Sequence, residues 1–172
     1  QAVTSPDFAK IASQYGVPMG GDLAVNDEPQ RAPVFLMRAV KDPVEANLDR
    51  LQIVKGWVAV DGVQHEKVYN VAWSGDRVAD KDGKLPNVGN TVDLVSGRYK
   101  NSIGASEFAA EWIDPDFDAQ QPAFYYARVL QIPTPRNGFL DGLGMPFEQP
   151  PRSAKKLQER AYSSPLSDYT NS

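Results

Sequence analysis

RLQIVKGWVAVDGVQHEKVYNVAWS, residues 50–74, decides the fold class. In the run 50–60, Leu51, Ile53 and Lys55 fall on one side and Gln52, Val54 and Gly56 on the other, the two-residue period of a strand. Asp61-Gly62 follows, a dipeptide suited to a tight turn because glycine accepts a positive φ. EKVYNVAWS (66–74) then sets Val68, Asn70 and Ala72 against Lys67, Tyr69, Val71 and Trp73. Strand, Asp-Gly turn, strand reads as a β-hairpin.

Working outward, VFLMRAV (34–40) is a strand closed by the turn residues Lys41-Asp42-Pro43. TVDLVSGRY (91–99) and ASEFAAEWI (105–113) form a second hairpin across KNSIG, and FYYARVLQI (124–132) is a strand stopped by Pro133 and Pro135. At the start, TSPDFAKIASQYG is one short helix with Ser5 as cap, Pro6 in the first turn and Gly16 at its end. Its stripe of Phe8, Ile11, Ala12 and Tyr15 needs a surface to dock on. GVPMGGDLAVNDEPQRAP (16–33) is a loop and SGDRVADKDGKLPNVGN (74–90) a polar excursion. Past Pro135 the chain is irregular, with a helical turn at AKKLQERAY (154–162) and an exposed tail, SSPLSDYTNS (163–172).

A parallel α/β sheet needs crossover helices, and the sequence between Val34 and Ile132 offers none. The expected fold is therefore mostly β: an antiparallel β-sandwich-like layered sheet with a short N-terminal helix and a short C-terminal helical turn. Residues 1–33 read as the N-terminal helix and loop left from an upstream domain, 34–136 as the β domain, and 137–172 as an irregular C-terminal extension.

Composition narrows the chemistry. With a net charge of −4, the chain lacks the basic excess that nucleic acid or an anionic membrane surface requires. No apolar run approaches the ~20 residues that cross a bilayer. There are no cysteines, so disulfides and thiolate chemistry are excluded. His65 is the single histidine, which rules out a metal centre built on several imidazoles and leaves a Ser-His-Asp triad only a residue just after a turn.

WIDPDFDAQQPAFYYARVLQIPTPR (112–136) poses the sharpest question: Asp114, Asp116 and Asp118 alternate before an aromatic strand. Alternating carboxylates are able to chelate calcium. An EF-hand loop starting at Asp114 would need Gly at 119 and Glu at 125, where Ala119 and Tyr125 stand. A polar turn is favoured, with the three aspartates kept as calcium candidates. Asp76, Asp80 and Asp82 form a second loose cluster, read as a hairpin turn around Gly83. Gly20-Gly21-Asp22 lacks the spacing of a phosphate loop.

Arg128 shares a strand face with Phe124, Tyr126, Leu130 and Ile132. A guanidinium there must pair, with Glu111 or Asp114 as partners, or bind an anionic ligand. Trp57, Trp73 and Trp112 lie on three strands, where they fill the core or stack on a sugar.

GVPMGGDL (16–23), NLDRLQIVKGW (47–57), EKVYNVAWSGDR (66–77), LPNVGNTVDL (85–94), DPDFDAQQPAFYYARVLQIPTPR (114–136) and QERAYSSP (158–165) together resemble one bacterial family. It is catalogued as a domain of unknown function, number 3604, and this chain is similar to its C-terminal part. The N-terminal region of that family resembles PHP-type (polymerase and histidinol phosphatase) metal-dependent phosphoesterases, and many members carry export signals. Leu166, Ser167 and Asp168 depart from the aromatic pair that members often have there.

The resemblance implies that the His- and Asp-rich metal site lies upstream of Gln1. Asp22, Arg128 and Arg136 become candidates for facing the interface or substrate, with no catalytic role carried over. It implies a divalent metal in the whole protein, no cofactor in this chain, and a partner in the upstream domain. It further implies a periplasmic or secreted location. The competing expectations are a stand-alone extracytoplasmic glycan- or ligand-binding β-sandwich and an enzyme using paired carboxylates alone.

Overall fold

A computed structural model describes residues 2–24, 31–143, 145 and 154–169. A 3-10 turn at Ala2–Thr4 precedes helix α1 (Phe8–Tyr15). Strands β1 (Asp22–Ala24), β2 (Val34–Val40), β3 (Leu48–Val58), β4 (Gln64–Trp73), β5 (Glu107–Ile113), β6 (Ala123–Gln131) and β7 (Thr134–Pro135) follow. Helix α2 (Asn137–Gly142) leads on to β8 (Lys156–Leu157), β9 (Arg160–Tyr162) and β10 (Leu166–Tyr169).

The expected hairpin is β3–β4. Gly62 takes φ 82° at its tip, and Asp61 Oδ1 accepts the Val63 N–H at 3.0 Å. The hairpin joins a six-stranded sheet in the order β1-β10-β6-β3-β4, with β9 beside β10 on the outer edge of β6. All its pairings are antiparallel except β1 with β10. A second layer, the antiparallel pair β2–β5, covers one face.

The core lies between the layers in two clusters. Ile53, Ala123, Tyr125 and Phe35 build one; Leu48, Leu51 and Phe108 build the other, joined by Met37, Ala39 and Ala127. Apart from Leu48, which the irregularity at Asp49 turns inward, these residues come from the inward-facing alternate positions of their strands. The fold is a layered, mostly β structure, and among the described residues no helix is long and apolar enough to cross a membrane.

Four expectations are corrected. The segment 91–99 is not a strand: it turns at 94–97 around a single Asp93–Arg98 bridge, and β5 pairs instead with β2. The alternation of β4 is broken by a bulge that pairs Gln52 with Asn70 but Leu51 with Ala72. The C-terminal helical turn lies at 137–142, whereas 154–162 supplies β8 and β9. Leu166–Tyr169, read as exposed tail, is β10, inserted between β1 and β6. Much of this edge is built by backbone pairing from short segments, which leaves little periodicity to read. Within the expected loop 16–33, β1 is ordered on that same edge, and 25–30 fall outside the described residues.

Helix α1 begins two residues after Pro6, with Asp7 at its N-cap making no side-chain cap; Ser5 Oγ accepts the Asp7 N–H instead. Gly16 ends it as expected.

Candidate functional site

The DPDFD turn docks on the covered face of the large sheet. Lys55, on the same face as Leu51 and Ile53, reaches Asp114 Oδ2 at 2.6 Å and the Asp116 carbonyl at 2.7 Å. Tyr125 donates to the same Asp114 oxygen at 2.8 Å, and Asp114 Oδ1 accepts the Asp116 N–H at 2.9 Å. Lys55 and Asp114 are buried, so each neutralises a charge that would be costly alone.

One step outward, Asp116 accepts hydrogen bonds from Lys67 and from the Tyr69 hydroxyl, the latter at 2.6 Å. The Lys67 bond, then the Tyr69 bond, holds the Asp116 carboxyl below its ordinary range. Burial, ahead of the Asp116 hydrogen bond, pushes the Tyr69 phenol far above its ordinary value. Two lysine ammoniums thus stand where a bound cation would be. Asp118 caps its own turn by accepting the Gln120 N–H at 2.9 Å. Among the described residues no group of three His, Cys, Asp or Glu is placed to hold a metal ion.

A second charged hub is Asp49, fully buried. Its Oδ2 accepts from Arg50 Nε and Gln158 Nε2, both at 3.0 Å. Arg77 Nη2 sits 2.7 Å from Oδ1 but hydrogen-bonds the Asp49 carbonyl at 3.0 Å, so Oδ1 has charge balance without an aligned donor. Arg77 also binds the Ser74 and Pro86 carbonyls, tying the excursion after β4 to β3.

The opposite face of the six-stranded sheet carries Arg128. The register sets Asn70, Gln52, Arg128 and Tyr162 in one row across β4, β3, β6 and β9. Gln52 Nε2 donates to Asn70 Oδ1 at 2.8 Å, Arg128 Nε donates to Gln52 Oε1 at 2.9 Å, and Asn70 Nδ2 binds the Gly83 carbonyl. Neither Glu111 nor Asp114 meets Arg128: β5 belongs to the other layer, and Asp114 is taken by Lys55. Along β6, the Phe124 and Tyr126 rings stack at 6.4 Å and 9°, and Tyr162 lies 6.0 Å from Tyr126. Gly56 makes this possible, because a Cβ there would lie 2.5 Å from Phe124 Cε1.

A cleft of about 1490 Å³ opens between α1, the loop after it, β2 and the large sheet, lined by Phe8, Ile11, Met19, Met37, Val129 and Leu166 among others. Although α1 carries the expected apolar stripe, none of its residues is buried.

The remaining candidates are dispersed. Asp22 is exposed in β1, opposite Ser167, and Arg136 is exposed at the start of α2. Asp22 and Arg128 share the outer face of the large sheet in separate rows, and Arg136 stands apart at the start of α2. His65 is exposed and stacks on Trp57 at 5.2 Å. Trp112 packs on Phe35 and Tyr69, and Trp73 donates to the Arg77 carbonyl, so the three tryptophans form no common platform. Asp80 accepts the Asp82 and Lys84 N–H groups as a turn residue.

Sequence reasoning missed Asp49, Lys55 and Arg77 as hubs. The available signal was Lys55, a cation on the apolar face of Leu51 and Ile53.

A family model described as "Protein of unknown function (DUF3604)" matches residues 1–168. No curated protein and no solved structure matches the chain.

Proposed function

Taking as premise that the chain belongs to the DUF3604 family, we propose that it is the β module of a larger PHP-like metal-dependent hydrolase. In this reading it seats the catalytic domain, and the metal chemistry is carried by that domain. The observation that carries the reading is α1 and its cleft: an apolar stripe with no buried residue, beside an open apolar groove. Tyr15 and Met19 are 79% and 66% exposed at this end. An apolar surface of that kind is stabilised when a partner covers it. The committed pairing of Lys55 with Asp114, and of Asp49 with two arginines, supports a structural use of the buried charges.

The test is to mix the chain with the separately produced PHP-like region and follow complex formation by size-exclusion chromatography. A one-to-one complex, weakened by Met19→Lys at an exposed position of the cleft, is expected. Two separate peaks for the unaltered proteins overturn the reading. The chain alone is expected to hydrolyse no phosphoester. One tightly bound zinc, manganese or iron per chain would contradict the assignment of the metal to the other domain.

A further inference from the structure

The face of the large sheet turned away from β2–β5 combines two features, and two of its residues, Tyr126 and Tyr162, also line the cleft beside α1. The first is an uncompensated cation. Among the described residues Arg128 has no carboxylate partner; its one hydrogen bond goes through Nε to the neutral amide of Gln52, which Asn70 holds in turn. Its terminal nitrogens keep their donors in a fixed fork, the geometry that receives a carboxylate or sulfate through two parallel bonds. Arg160 adds a second cation on the same face, opposite Leu130 and diagonal to Arg128. The row of Phe124 carries exposed carboxylates on the same face, Asp22 beyond Ser167 and Glu66 beyond Gly56, so the positive charge is confined to the Arg128–Arg160 end.

The second feature is aromatic. Phe124 and Tyr162 are 44% and 56% exposed, and Tyr126 bridges them with contacts of 6.4 and 6.0 Å. Gly56 lets the Phe124 ring reach across the neighbouring strand. Rings of this kind offer apolar faces to the C–H face of a sugar, while the adjacent amides and guanidinium serve its hydroxyl and acidic groups.

We propose that this face binds an acidic carbohydrate, a pyranoside chain bearing carboxylate or sulfate ester groups. The rings of Phe124, Tyr126 and Tyr162 stack on the sugars, and Arg128 takes the anionic group. At the Arg128–Arg160 end, charge complementarity selects this occupant over a neutral glycan, and the aromatic row selects it over a bare anion.

The experiment is isothermal titration of the whole chain with four probes: tetragalacturonate, a sulfated galactan oligosaccharide, a neutral gluco-oligosaccharide of similar length, and sodium sulfate. Binding of the uronate or the sulfated probe is expected, at least about tenfold tighter than the neutral one and weakened by added salt. Which of the two binds tells carboxylate from sulfate ester. Arg128→Gln is expected to weaken that binding about tenfold or more. Tyr162→Ala, an exposed edge position that leaves the core intact, is expected to weaken it as well, so the test survives if the arginine variant folds poorly. No binding of either acidic probe, equal binding of the neutral one, or equal binding of sulfate alone overturns the proposal. The docking reading is judged by complex formation with the other domain and this one by titration with glycans, so failure of either is told apart from failure of the other.

Discussion

The Lys55 ammonium lies 2.6 Å from Asp114, 59 residues further along the chain, with 4% and 0% of the two side chains exposed. Through this pair the turn between β5 and β6 is locked to the middle of the sheet, and Tyr125 closes the same carboxylate. Lys55→Met leaves Asp114 buried without its cation and is expected to lower stability by roughly 3–5 kcal/mol. The double change Lys55→Met with Asp114→Leu is expected to recover most of that loss. Urea unfolding of the three proteins, compared at equal m-value, checks it.

Calcium is expected to leave the melting temperature unchanged. The carboxylates of Asp114 and Asp116 already bind the ammoniums of Lys55 and Lys67. A calcium ion would have to displace both. Melting curves in calcium and in EDTA that differ by several degrees would show that the turn opens to accept the ion.

The outer shell of the same cluster predicts two pH effects of opposite sense. The folded state lowers the Asp116 carboxyl, through Lys67 first and Tyr69 second, so its contribution is present above the ordinary carboxylate value of about 4 and fades as pH falls through the folded one. Asp116→Asn should flatten the acid limb of a stability profile. The folded state raises Tyr69, chiefly by burial, so its contribution is present below about 10 and is lost as pH rises beyond that value. Tyr69→Phe should flatten the alkaline limb. Denaturant midpoints between pH 3 and 11 would reveal either slope surviving its variant.

Gly56→Ala forces its new methyl into Phe124 and is expected to destabilise by roughly 1–3 kcal/mol. Adding Phe124→Ala removes the clash, so the second substitution should lose less in the Gly56→Ala background than in the parent. Additive losses in a double-mutant cycle would mean that the ring does not rest over the glycine.

What was legible in sequence is what strand periodicity writes. The β3–β4 hairpin, β2, β5 and β6 were read directly, because half-buried strands must alternate and Asp61-Gly62 supplies the turn. The partner of β5 was not legible: local adjacency favoured 91–99, but Phe108 reaches the core only by pairing β5 with β2. β9 and β10 were missed because three or four residues carry too little pattern, and their place is set by the free edge of β6. At the candidate sites, the alternation of β6 placed Arg128 on a strand face, but not its partner. Its Gln52 partner lay 76 residues away, beyond any spacing rule. The aspartates of 114–118 read as a turn because Pro115 restricts Asp114, while the lysines that hold them came from another strand pair.

The proposal that α1 and its cleft seat a second domain is tested most directly by hydrogen–deuterium exchange, comparing the chain alone with the chain joined to the proposed PHP-like region. Protection should appear at residues 8–19 and along β2. Unchanged exchange there, with protection elsewhere or nowhere, would contradict it.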